Sequence, residues 1–261
     1  MENESEYILG TAEMNIGGVP LKMEMSLPAK PVKLKKMLPV FQKMSDTFVN
    51  IGITAAENKG RKISCRAGCG ACCRQAVPIS ETEVYRIAEL VENLPEPRKT
   101  KVKKKFDKAF EHFTKVGWFK KMDEFISQNK ENNDEDVGKK LSEIVLEYFY
   151  EKIPCPFLEN ESCSIHPDRP IACREYLVDS PAENCSNPTL KTVNMVSQPI
   201  EVSKVLRQIS RANVSFDSPV LIPLVSALEI AGKHRDESSK KPGNEWMNDF
   251  FEILAGRKSG S

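Results

Sequence analysis

Cysteine is missing from more than two hundred residues of this chain. All eight cysteines fall in two windows, Cys65 to Cys73 and Cys155 to Cys185. Histidine is scarce as well, with three in the whole chain. Neither sign of charge prevails: 38 Lys and Arg face 37 Asp and Glu, a net charge of +1. That balance argues against a general attraction to nucleic acid or to anionic membranes. No segment approaches the roughly 18 to 20 continuous apolar residues of a membrane span. The opening MENESEYILG lacks both a basic n-region and an apolar h-region. No secretory signal is therefore read there, and a cytoplasmic chain with reduced thiols is expected. No glycine-rich loop follows a predicted strand, so no nucleotide-type phosphate cradle is legible. No internal repeats are visible.

The patterning that is present predicts a mainly α, α+β chain. Ile8, Gly10, Ala12, Met14 and Ile16 alternate with mostly polar neighbours, and Val19, Leu21, Met23, Met25 and Leu27 alternate again after Gly17-Gly18. Period-two patterning across a Gly-Gly turn predicts an antiparallel hairpin. Leu38, Phe41, Met44 and Phe48 predict a helix towards Ala55, ended by Gly60. Ser80 and Glu83 form a capping-box pattern, with Ile79 and Val84 as its staple, before an apolar stripe of Val84, Ile87, Val91 and Leu94. The next helix carries Val102, Phe106, Ala109 and Phe113 and begins with a basic run, Arg98 to Lys105. Interleaved Val102 and Phe106 make that run a solvated helix face rather than a nucleic-acid reader. Trp118, Phe119, Met122 and Phe125 continue the apolar pattern. Residues 127–138 read as a polar, mobile loop. A helix through Leu141, Ile144 and Tyr148 follows, then Val193 and Met195 hint at a short strand. Further helices are expected near 201–211, 224–233 and 244–254. The expected organisation is a hairpin and helix over 1–60, a cysteine-cluster core over 61–190, C-terminal helices over 191–256 packed on it, and a tail at 257–261.

The chemistry is in the cysteines. Cys65, Cys69, Cys72 and Cys73 have the spacing C-x3-C-x2-C-C. The pair Cys69-Gly70-Ala71-Cys72 suits a tight knuckle that aims two sulfurs at one ion, with Gly68 and Gly70 permitting positive φ. Cys72 and Cys73 are neighbours whose side chains diverge, so they suit two metals of a cluster or two sites. Arg61, Lys62, Arg66 and Arg74 surround this window with no acid among them, which favours thiolates; ordinary surface charge is the bland alternative. In the second window Cys155, Cys163, Cys173 and Cys185 are separated by seven, nine and eleven residues. They must arrive from different loops, which Pro154, Pro156, Pro167 and Pro170 stiffen. Arg169 and Arg174 are placed to bond sulfur or to pair with Asp168 or Glu175. His166 is the histidine nearest this chemistry; with eight thiols at hand, packing in its loop is the simpler role.

The combination of Cys65, Cys69, Cys72-Cys73, Pro154-Cys155-Pro156-Phe157-Leu158, Cys163, Arg169-Pro170 and Cys173-Arg174 resembles the bacterial cysteine-cluster family named for a CxxCxxCC motif. That family is also called YkgJ-like and is described as a zinc- or iron-chelating domain. The flagellin lysine N-methylases are related to it. The resemblance spans roughly 64–185. It departs from the family name in the three-residue first spacer, Arg66-Ala67-Gly68, and Cys185 resembles a cysteine found in part of the family. It implies a metal centre held by the eight cysteines and supplies no reaction.

Four functions follow from these residues. An iron–sulfur protein, redox-active or part of an enzyme, fits eight thiols and an adjacent pair. A zinc-chelating module that organises a scaffold for a protein partner fits the same donors. Cys65, Cys69 and Cys72 also match the C-x3-C-x2-C of radical S-adenosylmethionine enzymes, but the mainly helical pattern that follows does not suit their barrel. A SAM-dependent lysine methylase rests on family kinship alone. The reading adopted is a cysteine-cluster metal protein holding an iron–sulfur cluster through both windows, with Cys69 and Cys155 serving one centre. Zinc is the alternative.

Overall fold

The computed structural model describes residues 6–66, 68–129 and 134–256. The fold is α+β and mainly helical, with small antiparallel sheets. Strands β1 (Tyr7–Ile16) and β2 (Val19–Pro28) pair with Ile16 opposite Val19. Gly17 and Gly18 have φ of 59° and 91°, the positive values that a two-residue hairpin turn requires. Ala12, Met23, Met25 and Leu27 lie on the buried face, as the alternation predicts. After β3 (Val32–Lys33) and a 3-10 turn at Leu34–Met37 comes α1 (Leu38–Glu57). Pro39 sits in its first turn, where no intrahelical N–H is needed.

Strand β4 (Pro78–Ile79) leads into α2 (Glu81–Glu92). Ser80 Oγ accepts the Glu83 N–H at 3.2 Å, and Glu83 Oε2 accepts the Ser80 N–H at 2.9 Å. The predicted capping box is thus formed, and Ile79 and Val84 are buried in one cluster. Helix α3 (Arg98–Lys115) is followed by α4 (Trp118–Gln128). The apolar pattern runs across both, but Gly117, at φ 74°, breaks the helix between them. Helix α5 is Glu135–Tyr150. The expected loop at 127–138 is therefore helical at both ends, and residues 130–133 lie outside the described set. Glu135 and Asp136 occupy the first turn of α5, where carboxylates suit the helix dipole. Polarity there marks a helix start rather than a loop.

The second cysteine window contributes β5 (Leu158–Glu159), β6 (Ser162–Cys163) and α6 (Ile171–Glu175). Then come α7 (Val202–Ala212), β7 (Ile222–Pro223), α8 (Ala227–Lys233), β8 (Lys240–Lys241) and α9 (Gly243–Leu254). Strand β3 pairs with β8 and β4 with β7, across very long sequence separations. The short strand expected near 193–195 is a single bridge, Val178 to Met195. The expected tail, 257–261, lies outside the described residues.

Three apolar clusters organise the interior. One joins the hairpin, α1, α7 and α9 around Phe41, Phe48, Leu206, Trp246 and Phe250. Phe41 stacks on Phe250 with ring centroids 5.6 Å apart. A second joins α2, α3 and α8. A third joins α3, α4 and α5, with Phe113 stacked on Tyr148 at 3.7 Å. The second window is wedged between the first two clusters: Ile171 enters one, and Phe157 and Ile165 enter the other. Each such burial stabilises by about 1.5–3 kcal/mol. The cysteine loops are thus positioned by apolar anchors set among the thiols.

Candidate metal centre

The first window is a run of tight turns. The Cys69 N–H donates to the Arg66 carbonyl at 3.2 Å, the Cys73 N–H to Gly70 at 3.0 Å and the Gln75 N–H to Cys72 at 3.2 Å. Gly68 has φ 78°, as a turn of this kind requires. Gly70 does not adopt positive φ; it is required for another reason. A Cβ there would lie 2.7 Å from Leu158 Cδ1 and 2.8 Å from the Glu161 carbonyl oxygen. The first window therefore rests directly on the β5–β6 hairpin of the second. Arg74 clamps this contact, donating to both Glu161 carboxylate oxygens at 2.7 and 3.1 Å and to the Gly70 carbonyl at 3.1 Å.

The windows also share a backbone bond: the Cys155 N–H donates to the Cys73 carbonyl at 2.7 Å. Cys163 lies opposite Leu158 across the β5–β6 turn, where Asn160 and Glu161 take φ of 50° and 55°. Cys173 is on α6, whose first amide, Ile171 N–H, donates to Glu83 Oε1 at 2.9 Å. One carboxylate therefore caps α2 and tethers α6. Cys185 is buried in a 3-10 turn at Ala182–Ser186. Cys65 is reached from the far side, where the Val178 N–H donates to its Sγ at 3.4 Å.

All eight cysteines are free thiols. Burial pushes Cys155 up to about 12 and Cys185 up to about 11, and raises Cys65, Cys163 and Cys173. The Cys73 thiol donates to the Cys72 sulfur, which favours thiolate at Cys72 and holds the proton on Cys73. Negative charge on Cys72 is felt at Cys65, Cys73, Cys155, Cys163, Cys173 and Cys185. Cys72 is thus a hub of both windows. Cys69 acts on Cys65 and Cys185, whereas Cys155 and Cys173 act on Cys73.

Among the described residues, no three Cys, His, Asp or Glu side chains are placed as ligands around one point. The sulfurs are gathered without converging on one point, and the side chains of Cys72 and Cys73, expected to diverge, instead lie within hydrogen-bonding reach of each other because the turn brings the neighbours together. The donor chemistry nonetheless fits zinc or iron. Backbone N–H groups of Val178, Phe157 and Ile165 point at Cys65, Cys155 and Cys163, as they do where sulfur carries negative charge. Arg169 Nε is buried with no hydrogen-bond partner. The Arg169 charge is felt at Cys65, Cys72, Cys163 and Cys173.

Other predicted residues fall outside this core. His166 is exposed on a 3-10 turn, and the Arg169 charge pulls its pKa below the usual imidazole value. Arg174 reaches neither sulfur nor Glu175. It donates to Asp46 on α1 at 3.2 Å and to the carbonyls of Arg169 and Pro167. Asp168 is taken by Arg86 at 2.8 Å. The basic run of α3 is largely occupied within the molecule. Lys103 pairs with Glu92 at 2.5 Å, Arg98 donates to the Ser164 carbonyl at 3.2 Å and Lys105 to the Leu158 carbonyl at 3.1 Å. The last two fasten the hairpin that carries Cys163. Sequence reasoning missed Lys105, Glu161, Gln75 and Tyr176. Tyr176 accepts from Gln75 at 2.8 Å and senses the charges of Cys185, Cys72 and Cys65. No local pattern marks residues whose roles are set by contacts this remote.

Among the described residues, no helix is long and apolar enough to cross a membrane. No curated protein and no solved structure matches the chain. Residues 64–192, a span that contains all eight cysteines, match the CxxCxxCC family model, described as a putative zinc- or iron-chelating domain, and this match supports metal binding by the cysteine cluster.

Proposed function

We propose that the chain is a YkgJ-like cysteine-cluster protein that holds an iron–sulfur centre through thiolates drawn from both windows. The observation that carries this reading is the junction between the windows, the Cys155 N–H on the Cys73 carbonyl at 2.7 Å. Cys72 there lies within electrostatic reach of six other cysteines. Eight thiols exceed the four that close one zinc site. An adjacent pair among sulfurs from both windows suits a multi-iron centre or two neighbouring ions better than one tetrahedral ion. Such a centre supplies one-electron chemistry when bound. The chain would contribute the eight sulfurs, the N–H donors that offset their charge, and the apolar wedge of Phe157 and Ile165 that limits water. A cytoplasmic setting, with thiols kept reduced, suits this reading.

Zinc is the second reading, favoured by the family description, which names both metals. In that reading the cluster is a structural module that shapes a surface for a protein partner. Purification without oxygen, followed by metal and sulfide analysis and an absorption spectrum, separates the two. Iron with acid-labile sulfide and broad visible absorption is expected, because zinc is d10 and colourless. A colourless protein with stoichiometric zinc would establish the second reading. Disulfides with neither metal would end both.

A further inference from the structure

We propose that the Arg169 guanidinium is an internal counter-cation that donates its Nε–H to a metal-bound sulfur of the cluster. The proposal rests on the metal-binding reading above and adds a residue that is not itself a ligand. The first support is an orphaned donor. Arg169 Nε is buried and has no hydrogen-bond partner in the structure. A buried N–H on a charged group is costly when left unpaired. The Arg169 charge acts on four thiols, which are weak acceptors when protonated and strong ones as metal-bound thiolates.

The second support is position. Arg169 closes the 3-10 turn His166–Asp168 and precedes Pro170, which caps α6 with its Cys173. Its side chain lies within electrostatic reach of Cys65 and Cys72 from the first window and of Cys163 and Cys173 from the second. Four other arginines near the windows are paired with carboxylates. Arg174 is on Asp46, Arg74 on Glu161, Arg61 on Asp179 and Arg86 on Asp168. Arg174 in turn donates its Nε–H to the Arg169 carbonyl at 3.3 Å, which fixes the root of the Arg169 side chain. The third support is charge. Four thiolates around one dication leave a doubly negative centre, and a fixed cation beside it offsets that charge without occupying a ligand position.

The test is zinc affinity, measured on the full chain by competition with a chromophoric chelator under reducing conditions. Arg169→Gln removes the cation and the fork and is expected to weaken zinc binding by about 10–100-fold, the usual effect of losing a partner to the ligands. Arg169→Lys restores the charge without the Nε donor and is expected to recover part of the affinity. A purely structural role would not give that partial rescue. Arg86→Gln, which removes a partly exposed cation of α2 that pairs with Asp168 beside Arg169, is expected to bind zinc as the parent chain does. Should Arg169→Gln fail to fold, Arg169→Lys decides alone: weaker binding than the parent supports the proposal, and equal binding overturns it. Unchanged affinity in Arg169→Gln, or an equal loss in Arg86→Gln, also overturns it. A parent chain that takes up neither zinc nor iron would remove the metal-binding reading itself, an outcome distinct from a change confined to Arg169.

Discussion

The two cysteine windows are built on opposite plans. The first is local: its amides bond carbonyls three residues back, Cys69 to Arg66, Cys73 to Gly70 and Gln75 to Cys72. Its shape follows from short-range turns and one left-handed glycine, Gly68. The second is suspended from distant elements. Glu83 of α2 holds Ile171, Asp46 of α1 holds Arg174, and Arg98 and Lys105 of α3 hold the β5–β6 hairpin. A site assembled in this way couples metal to fold asymmetrically. Damage to the first window stays near the sulfurs, whereas damage to the helices reaches the metal through the second. Closing the long loop between the windows also links metal binding to the stability of the elements in between.

The largest effect expected from this comparison is at the thiols. Cys69→Ser and Cys155→Ser should each remove most of the bound metal, as measured by metal analysis of the purified chain. The double variant should be little worse than either, because residues acting as one unit are not additive. Single variants that each lose about half of the metal, with losses that add in the double variant, would instead mark two independent centres.

Next comes the contact between the windows. Gly70→Ala should destabilise the fold by about 1–3 kcal/mol, the usual cost of overpacking, and weaken metal binding. The added methyl meets Glu161 backbone at 2.8 Å, which has little freedom to retreat. Chemical denaturation with and without metal checks both effects.

A matched pair then separates capping from tethering. Ser80→Ala should cost about 1 kcal/mol, as loss of an N-cap does, with metal content unchanged. Glu83→Ala removes the reciprocal half of the capping box, the acceptor of the Ser80 N–H, and also orphans the buried Ile171 N–H, a further ~1–3 kcal/mol. Metal should fall in Glu83→Ala alone. Equal metal contents in the two variants would show that α6 holds Cys173 without its tether.

The pH effect has a definite sign. Burial holds Cys155, Cys173 and Cys185 above the ordinary thiol range, so near neutral pH the metal-free chain carries protons there. Metal must displace them, and zinc affinity should rise as pH is raised from about 6.5 to about 8. Flat affinity over that interval would mean that the thiols that bind are already ionised. The smallest effect should be Arg98→Gln, at most about 1 kcal/mol in thermal unfolding, because its partners are partly solvated.

Much of the framework was legible because its signals are local. Alternation across Gly17-Gly18 marks the hairpin, and Ser80 with Glu83 marks a helix start, since a cap needs partners only three residues away. The break at Gly117 was missed because the apolar stripe continues on both sides of it. The start of α5 was missed because acidic residues serve a loop and a helix N-terminus equally well. Strands β3, β4, β7 and β8 are two residues long, too short for any periodicity to show.

The sequence by itself determined that thiols concentrate in two windows and that turns at Gly68 and rigid proline loops present them. These are properties of composition and short-range geometry, which a linear chain displays openly. Only the tertiary structure decided that Gly70 lies against Leu158, that the Cys155 N–H bonds the Cys73 carbonyl, and that Arg174 turns to Asp46 while the buried Arg169 Nε–H is left without a partner. The physical reason is packing. Ile171 is buried in one apolar cluster and Phe157 and Ile165 in another, and the seating of those three side chains fixes where the second set of sulfurs meets the first.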